Sequence, residues 1–158
     1  MAMYASPIRL IDCHVARPSR ENSGEFEYLA LKRSAGKIYS GQWRIVTGKV
    51  EQSEFAWQAA RREVKEETQF DSFRFFVVPF ISSFYEWESD HLNSIPVFLA
   101  LVDQDINPIL NDEHSNFRWC LIEEIADLLD WPAQRDGARA AENLLKSREE
   151  LISSLEIL

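Results

Sequence analysis

Two periods alternate along the chain. "IRLIDCHVAR" (8–17) packs branched and apolar residues densely, and the turn formers of "PSRENSGE" close it, so a strand ends in a turn there. "EFEYLALKR" (25–33) follows with partial alternation, and the two segments read as adjacent strands. After the loop "SAGKIYSGQ", "WRIVTGKV" (43–50) is a short third extended segment. The spacing then lengthens. Ala56, Ala60 and Val64 repeat every four residues, one stripe of a helix from about Glu54 to Thr68 with Ser53 as its predicted N-cap. Strand-like character returns in "FRFFVVPFISSFYEW" (73–87), apolar on both faces as in a strand covered on both sides, with Pro79 predicting a bulge or an edge. "SIPVFLALV" (94–102) and "FRWCLI" (117–122) read as further strands, and "EEIADLLD" as a short helix. Ala138, Ala141, Leu145, Ile152 and Leu155 predict one longer terminal helix over 135–155. This order implies an α/β (α+β) fold in which helices pack on a mixed sheet.

Length narrows that picture to one domain, since 158 residues bury a proper core without needing a second. A net charge of −9 argues against a nucleic-acid polymer or an anionic membrane as partner, because both require a basic face. A small phosphorylated substrate is still compatible, because bound divalent cations invert a local field. Cys13 and Cys120 form no CxxC pair and read as reduced thiols of an intracellular protein. The first residues lack a basic segment leading into an apolar core, and no apolar run approaches a membrane span. The expectation is a cytoplasmic protein.

The predicted helix carries the chemistry. Residues 48–70 hold five glutamates, of which Glu63, Glu66 and Glu67 fall within five positions. On a helix Glu63 and Glu67 lie one turn apart on one side, with Glu66 beside them, and such like-charged pairs repel by about 0.2–0.5 kcal/mol each. Two accounts are open. Arg61, Arg62 and Lys65 neutralise the acids on a solvated face, or a cation outside the sequence does so. Mg²⁺ takes oxygen ligands, commonly one or two carboxylates with waters and substrate phosphates.

The spacing separates these accounts. Gly48, five residues, Glu54, seven residues and then Arg62-Glu63-Val64-Lys65-Glu66-Glu67 resembles the signature of the Nudix hydrolases, G-x5-E-x7-R-E-U-x-E-E-x-G-U, where U is a bulky apolar residue. Val64 and Phe70 fill the apolar positions. Gln69 stands where the pattern has a glycine that ends the helix in the left-handed region, at a cost of about 1 kcal/mol for a residue with a Cβ. "QWRIVTGKVE" and "EHSNFRW" extend the resemblance to a subgroup containing dihydroneopterin triphosphate pyrophosphatase and related nucleoside triphosphate pyrophosphohydrolases.

The resemblance implies a Nudix-type α/β/α sandwich with a loop–helix–loop catalytic motif. It implies Mg²⁺, with Mn²⁺ as a substitute, held by Glu63, Glu67 and the distant Glu113, with Glu66 as a further ligand or a positioner of water and the Gly48 carbonyl as an additional ligand. Arg62 and Glu54 would pair to shape the motif. Arg33, Thr47, Trp43 and His114 are the implied substrate contacts, with the aromatic run Phe84, Tyr85 and Trp87 open to either stacking or packing. The implied reaction releases a monophosphate and pyrophosphate from a nucleoside triphosphate or dihydroneopterin triphosphate. Hydrolysis of dinucleoside polyphosphates or nucleotide sugars is the alternative within enzymes, and a non-catalytic nucleotide-binding module the alternative outside them. Many relatives pair as homodimers.

Overall fold

The computed structural model describes residues 7–158. Seven strands, β1 (Leu10–Pro18), β2 (Phe26–Arg33), β3 (Trp43–Arg44), β4 (Val46–Lys49), β5 (Arg74–Glu86), β6 (His91–Leu101) and β7 (His114–Cys120), form one mixed sheet. Four helices, α1 (Ala56–Thr68), α2 (Ile122–Leu128), α3 (Pro132–Leu145) and α4 (Glu149–Ser154), complete the chain. The main path runs β3-β2-β1-β6-β5. β1 is parallel to β6, while along its other edge its first residues pair antiparallel with β4 and its last with β2. This fork opens the sheet beside β4, and α1 follows β4 directly.

Alternation along β1 explains the two cores. Ile11, Cys13 and Val15 pack with Ala60, Val64 and Phe98 beneath α1. Ala16 joins Phe76, Leu99, Ala138 and Leu144 on the side of α2 and α3. The cysteines are free and buried, one in each core. No helix of the described residues is long and apolar enough to cross a membrane.

Four expectations need correction. α1 begins after Phe55, not at a Ser53 cap: Ser53 has φ +66° inside the preceding turn, and the Phe55 N–H donates instead to Gln58 Oε1 at 2.8 Å. The third extended segment is two strands, because its residues on either side of Ile45 pair with different neighbours. The terminal helix starts earlier, with Pro132 in its first turn, and breaks after Leu145. That break returns the chain to β5, where Val77 N–H donates to Leu155 O (2.9 Å) and Ile157 N–H to Phe75 O (2.7 Å), covering part of an edge strand. Finally, β5 is covered on both faces only in its first half. The register shifts between Val77 and Ile81, around Pro79; Val77 is already exposed, and beyond the shift Ile81 and Tyr85 are more so.

Candidate functional site

Arg62 organises the loop before α1. Its Nε and Nη2 meet Glu54 at 2.9 and 3.0 Å, Nη2 also donates to Lys49 O at 2.9 Å, and Nη1 reaches Glu63 at 2.9 Å and Glu66 at 3.3 Å. One guanidinium thus joins β4, the loop and the helix, and its planar fork is suited to that role. The hydrogen bond from Arg62 holds the Glu54 carboxyl below its ordinary range.

Gly48 owes its place to close approach. It lies within β4 opposite Ile11, and a Cβ there would stand 2.2 Å from Glu63 Cδ. At the other end of α1, Gln69 adopts the left-handed conformation (φ +66°, ψ 11°), and its N–H donates to Lys65 O at 2.9 Å. The helix therefore stops where a glycine would stop it.

Glu63, Glu67, Glu113, Arg33, Thr47, Gly48 and His114 all line one cavity of about 570 Å³. Glu67, Glu113 and His114 each offer a ligand atom, and these atoms lie within 4.8 Å of one another. Glu67 is 2% exposed, and its Oε2 has no hydrogen-bond partner. Burial, followed by the charges of Glu63 and Glu113, pushes its carboxyl well above the usual range; burial also raises Glu63, against the pull of Arg62. Burial and then the charges of Arg33 and Arg44 lower His114 to about 4, leaving a neutral imidazole whose Nδ1 is unpartnered.

The loop carrying Glu113 is tied to α1. Asn111 Oδ1 accepts the Glu113 N–H at 3.0 Å, and Asn111 Nδ2 donates to Glu66 O at 3.1 Å. Arg33 Nη1 stands 3.7 Å from Glu113 Oε2. Carboxylates crowded in a buried wall, one oxygen of them orphaned, and a neutral imidazole form a donor set that fits a divalent cation.

Other expected residues lie outside this cavity. Glu54 and Arg62 act from behind Glu63. Glu66, 53% exposed in its side chain, is drawn to Arg62. Trp43 is a packing residue: its N–H donates to Asp130 Oδ2 at 2.8 Å and its ring packs against the core on the α3 side. The cavity's aromatics are instead Tyr39, Trp131 and Phe84, while Tyr85 and Trp87 point to solvent. Sequence reasoning also missed Asp12, Arg44 and Gln134 on the cavity wall. A carboxylate inside the apolar run of β1 was the available signal for Asp12; burial raises it to about 7, against the opposing charge of Arg44.

A mixed sheet between helices thus carries an acidic helix edge that faces a cavity also holding arginines. The sequence profile of the NUDIX domain matches residues 15–141, and the chain belongs to the Nudix hydrolase family, whose chemistry is hydrolysis of phosphoric anhydride bonds. It is similar to the asymmetrical bis(5'-nucleosyl)-tetraphosphatase of Caenorhabditis elegans, 29% identical over 114 residues that cover 71% of this chain and 80% of that protein. Among solved structures, a binary complex of C. elegans Ap4A hydrolase superposes with a TM-score of 0.72 at 22% identity, covering 88% of this chain and 98% of that one. The Escherichia coli dihydroneopterin triphosphate pyrophosphohydrolase gives 0.67 at 21% identity, covering 84% and 94%. At these identities the superpositions establish the fold.

Proposed function

We propose that this Nudix hydrolase is a Mg²⁺-dependent pyrophosphohydrolase, with Mn²⁺ as substitute, that cleaves a nucleoside triphosphate-like substrate to a monophosphate and pyrophosphate. The observation that carries this reading is the unpartnered Glu67 Oε2, buried beside Glu113 and His114 in a cavity that also presents Arg33. Glu63, Glu67 and Glu113 hold the cation, with the Gly48 carbonyl and the His114 imidazole alongside. The bound cation supplies neutralisation of charge on the phosphate oxygens and lowers the pKa of water.

The residues of the chain do the rest. Arg33 binds phosphate oxygens, and Thr47 contacts the substrate from β4. Glu113 accepts the proton of the water whose oxygen attacks phosphorus as the anhydride bond breaks and pyrophosphate leaves. Glu66 is less suited to that duty, since Arg62 holds it away from the cavity. Arg62 and Glu54 keep Glu63 in place over Gly48.

A second reading, hydrolysis of a dinucleoside polyphosphate, is favoured by the relative of 29% identity, itself named a tetraphosphatase of that kind. Both readings place the same acids at the same bond type and differ in what the phosphate chain carries at its far end. The experiment is release of phosphate from nucleotides, dihydroneopterin triphosphate and dinucleoside tetraphosphates with Mg²⁺ and coupled pyrophosphatase or phosphatase, beside Glu67→Gln. Triphosphates turned over fastest support the first reading, and tetraphosphates turned over fastest replace it with the second. Cleavage unchanged in Glu67→Gln removes the assigned site. Sedimentation of the same preparation tests the homodimer, which belongs to this reading.

A further inference from the structure

Arg44 is a cation with nothing to hold. Its Nε is buried without a partner, and among the described residues its guanidinium makes no hydrogen bond or ion pair. A buried N–H donor is costly to leave unmet, and Nε is such a donor. Yet the group is positioned with care. Its Cζ lies 4.6 Å from the Tyr39 ring centroid and 5.2 Å from that of Trp131. Trp131 is itself fixed edge-on to Tyr39 and by its Nε1–H to Gln42 Oε1 at 2.8 Å. Stacking leaves the rim of a guanidinium, where all its donors lie, free to face an acceptor.

Arg44, Tyr39 and Trp131 line the same cavity as the acids and Arg33. Arg33 differs in being engaged, through Nε to Ile38 O at 3.1 Å and Nη1 towards Glu113. Two like-charged guanidiniums on one wall repel, and an anion between them removes that repulsion. Of the wall carboxylates, Asp12 acts on Arg44 most strongly and Glu67 after it, and among the described residues neither forms an ion pair with it.

We propose that Arg44, held by Tyr39 and Trp131, is a specificity-determining residue that binds a phosphate group beyond the two nearest Glu63, Glu67 and Glu113, and so selects three or more phosphates in a chain over two. This rests on the functional reading above in assigning phosphate to the acidic end. The Tyr39 and Trp131 faces that meet Arg44 are accordingly engaged by the guanidinium and not by a base.

The test is titration calorimetry, with Mg²⁺, of inorganic pyrophosphate and inorganic tripolyphosphate into wild type, Arg44→Gln, Arg44→Met and Asp12→Asn. Wild type is expected to bind tripolyphosphate at least tenfold more tightly than pyrophosphate. Either Arg44 variant is expected to lose tenfold or more for tripolyphosphate and less than twofold for pyrophosphate, and two variants guard against one failing to fold. Asp12→Asn is expected to bind tripolyphosphate as wild type does or more tightly, since a competing carboxylate has gone. Equal affinity of wild type and the Arg44 variants for tripolyphosphate would overturn the proposal. So would equal losses for both anions, or an Asp12→Asn loss matching Arg44→Gln, which would mark the two residues as a structural pair. Silence across the nucleotide panel sinks the functional reading without touching this binding result, whereas unchanged tripolyphosphate binding sinks the anion site while hydrolysis stands.

Discussion

The two edges of α1 are treated in opposite ways. Along the loop edge every charge is answered: Glu54, Glu63 and Glu66 share Arg62, which also reaches Lys49 O. Along the cavity edge polar groups are left open: Glu67 Oε2, His114 Nδ1 and Arg44 Nε are buried and unpartnered. The answered edge is a brace, and its interactions fix where Glu63 sits. The open edge carries an energetic cost in the empty protein that only a ligand recovers, which is how binding sites commonly differ from scaffolds.

Glu67→Gln should break the contrast most sharply. Hydrolysis is expected to fall on the order of 10³-fold or more, as for removal of a group acting on transition-state charge. The same change removes a charge that burial opposes, so metal-free thermal stability should rise, by roughly 2–4 °C per kcal/mol recovered. The sign follows from linkage: the native carboxyl is raised, so its contribution falls as pH climbs above the ordinary carboxylate range. Melting with and without Mg²⁺ checks both parts, and a variant still stabilised by Mg²⁺ as wild type is would count against the site.

His14 extends the comparison to an open group that no ligand reaches. It is 1% exposed with both ring nitrogens unpartnered, its Nε2 only 2.7 Å from where a Cβ on Gly137 would sit. Burial lowers it to about 3, so the unfolded chain takes up the proton first. Stability associated with His14 should be lost as pH falls from about 6.5 towards 3, on the order of 5 kcal/mol in all. Asp12, raised to about 7, acts in the opposite direction, losing its contribution as pH rises from about 4 to 7. Urea unfolding across pH, with His14→Leu beside wild type, should show a shallower acid limb in the variant.

Gly48→Ala attacks the contact between the two edges. The new Cβ cannot share space with Glu63, and displacement of that carboxylate by about 1 Å should lower kcat/KM on the order of 10²-fold. Unaltered kinetics would mean that Glu63 does not need its place over β4. Glu54→Gln loosens the brace alone. With side chains 15% and 23% exposed the Glu54–Arg62 pair is sheltered but not dry, so about 1 kcal/mol of stability should go, with a smaller loss of kcat/KM than in Gly48→Ala. Gln69→Gly is the smallest change, a gain of about 1 kcal/mol at the left-handed C-cap with activity untouched, measurable as a higher melting temperature.

Much of the brace was legible in the chain because it is local. Arg62 and Glu54 are eight residues apart, and the helix pitch places Glu63 and Glu67 on one side whatever surrounds them. Gln69 likewise announced its strained end by standing where a glycine belongs. The helix start was misplaced because a side chain within the first turn, Gln58, took the capping duty assigned to Ser53. The terminal helix read as continuous because apolar spacing cannot register that the chain must break to reach the β5 edge.

The open edge was half visible. Glu113 and Arg33 came from resemblance, whereas Arg44, Trp131 and Gln134 had no local pattern to betray them. Trp43 shows the limit best: its neighbour Arg44 points into the cavity while Trp43 packs on the core, a choice made by the pairing of β3 with β2. The sequence by itself determined the helix, its acids and the spacing that braces them, since helix geometry repeats within a few residues. Which charges meet across β1, β3, the Glu113 loop and the start of α3, and which are left without a partner, was decided only when strand register brought distant segments to one wall.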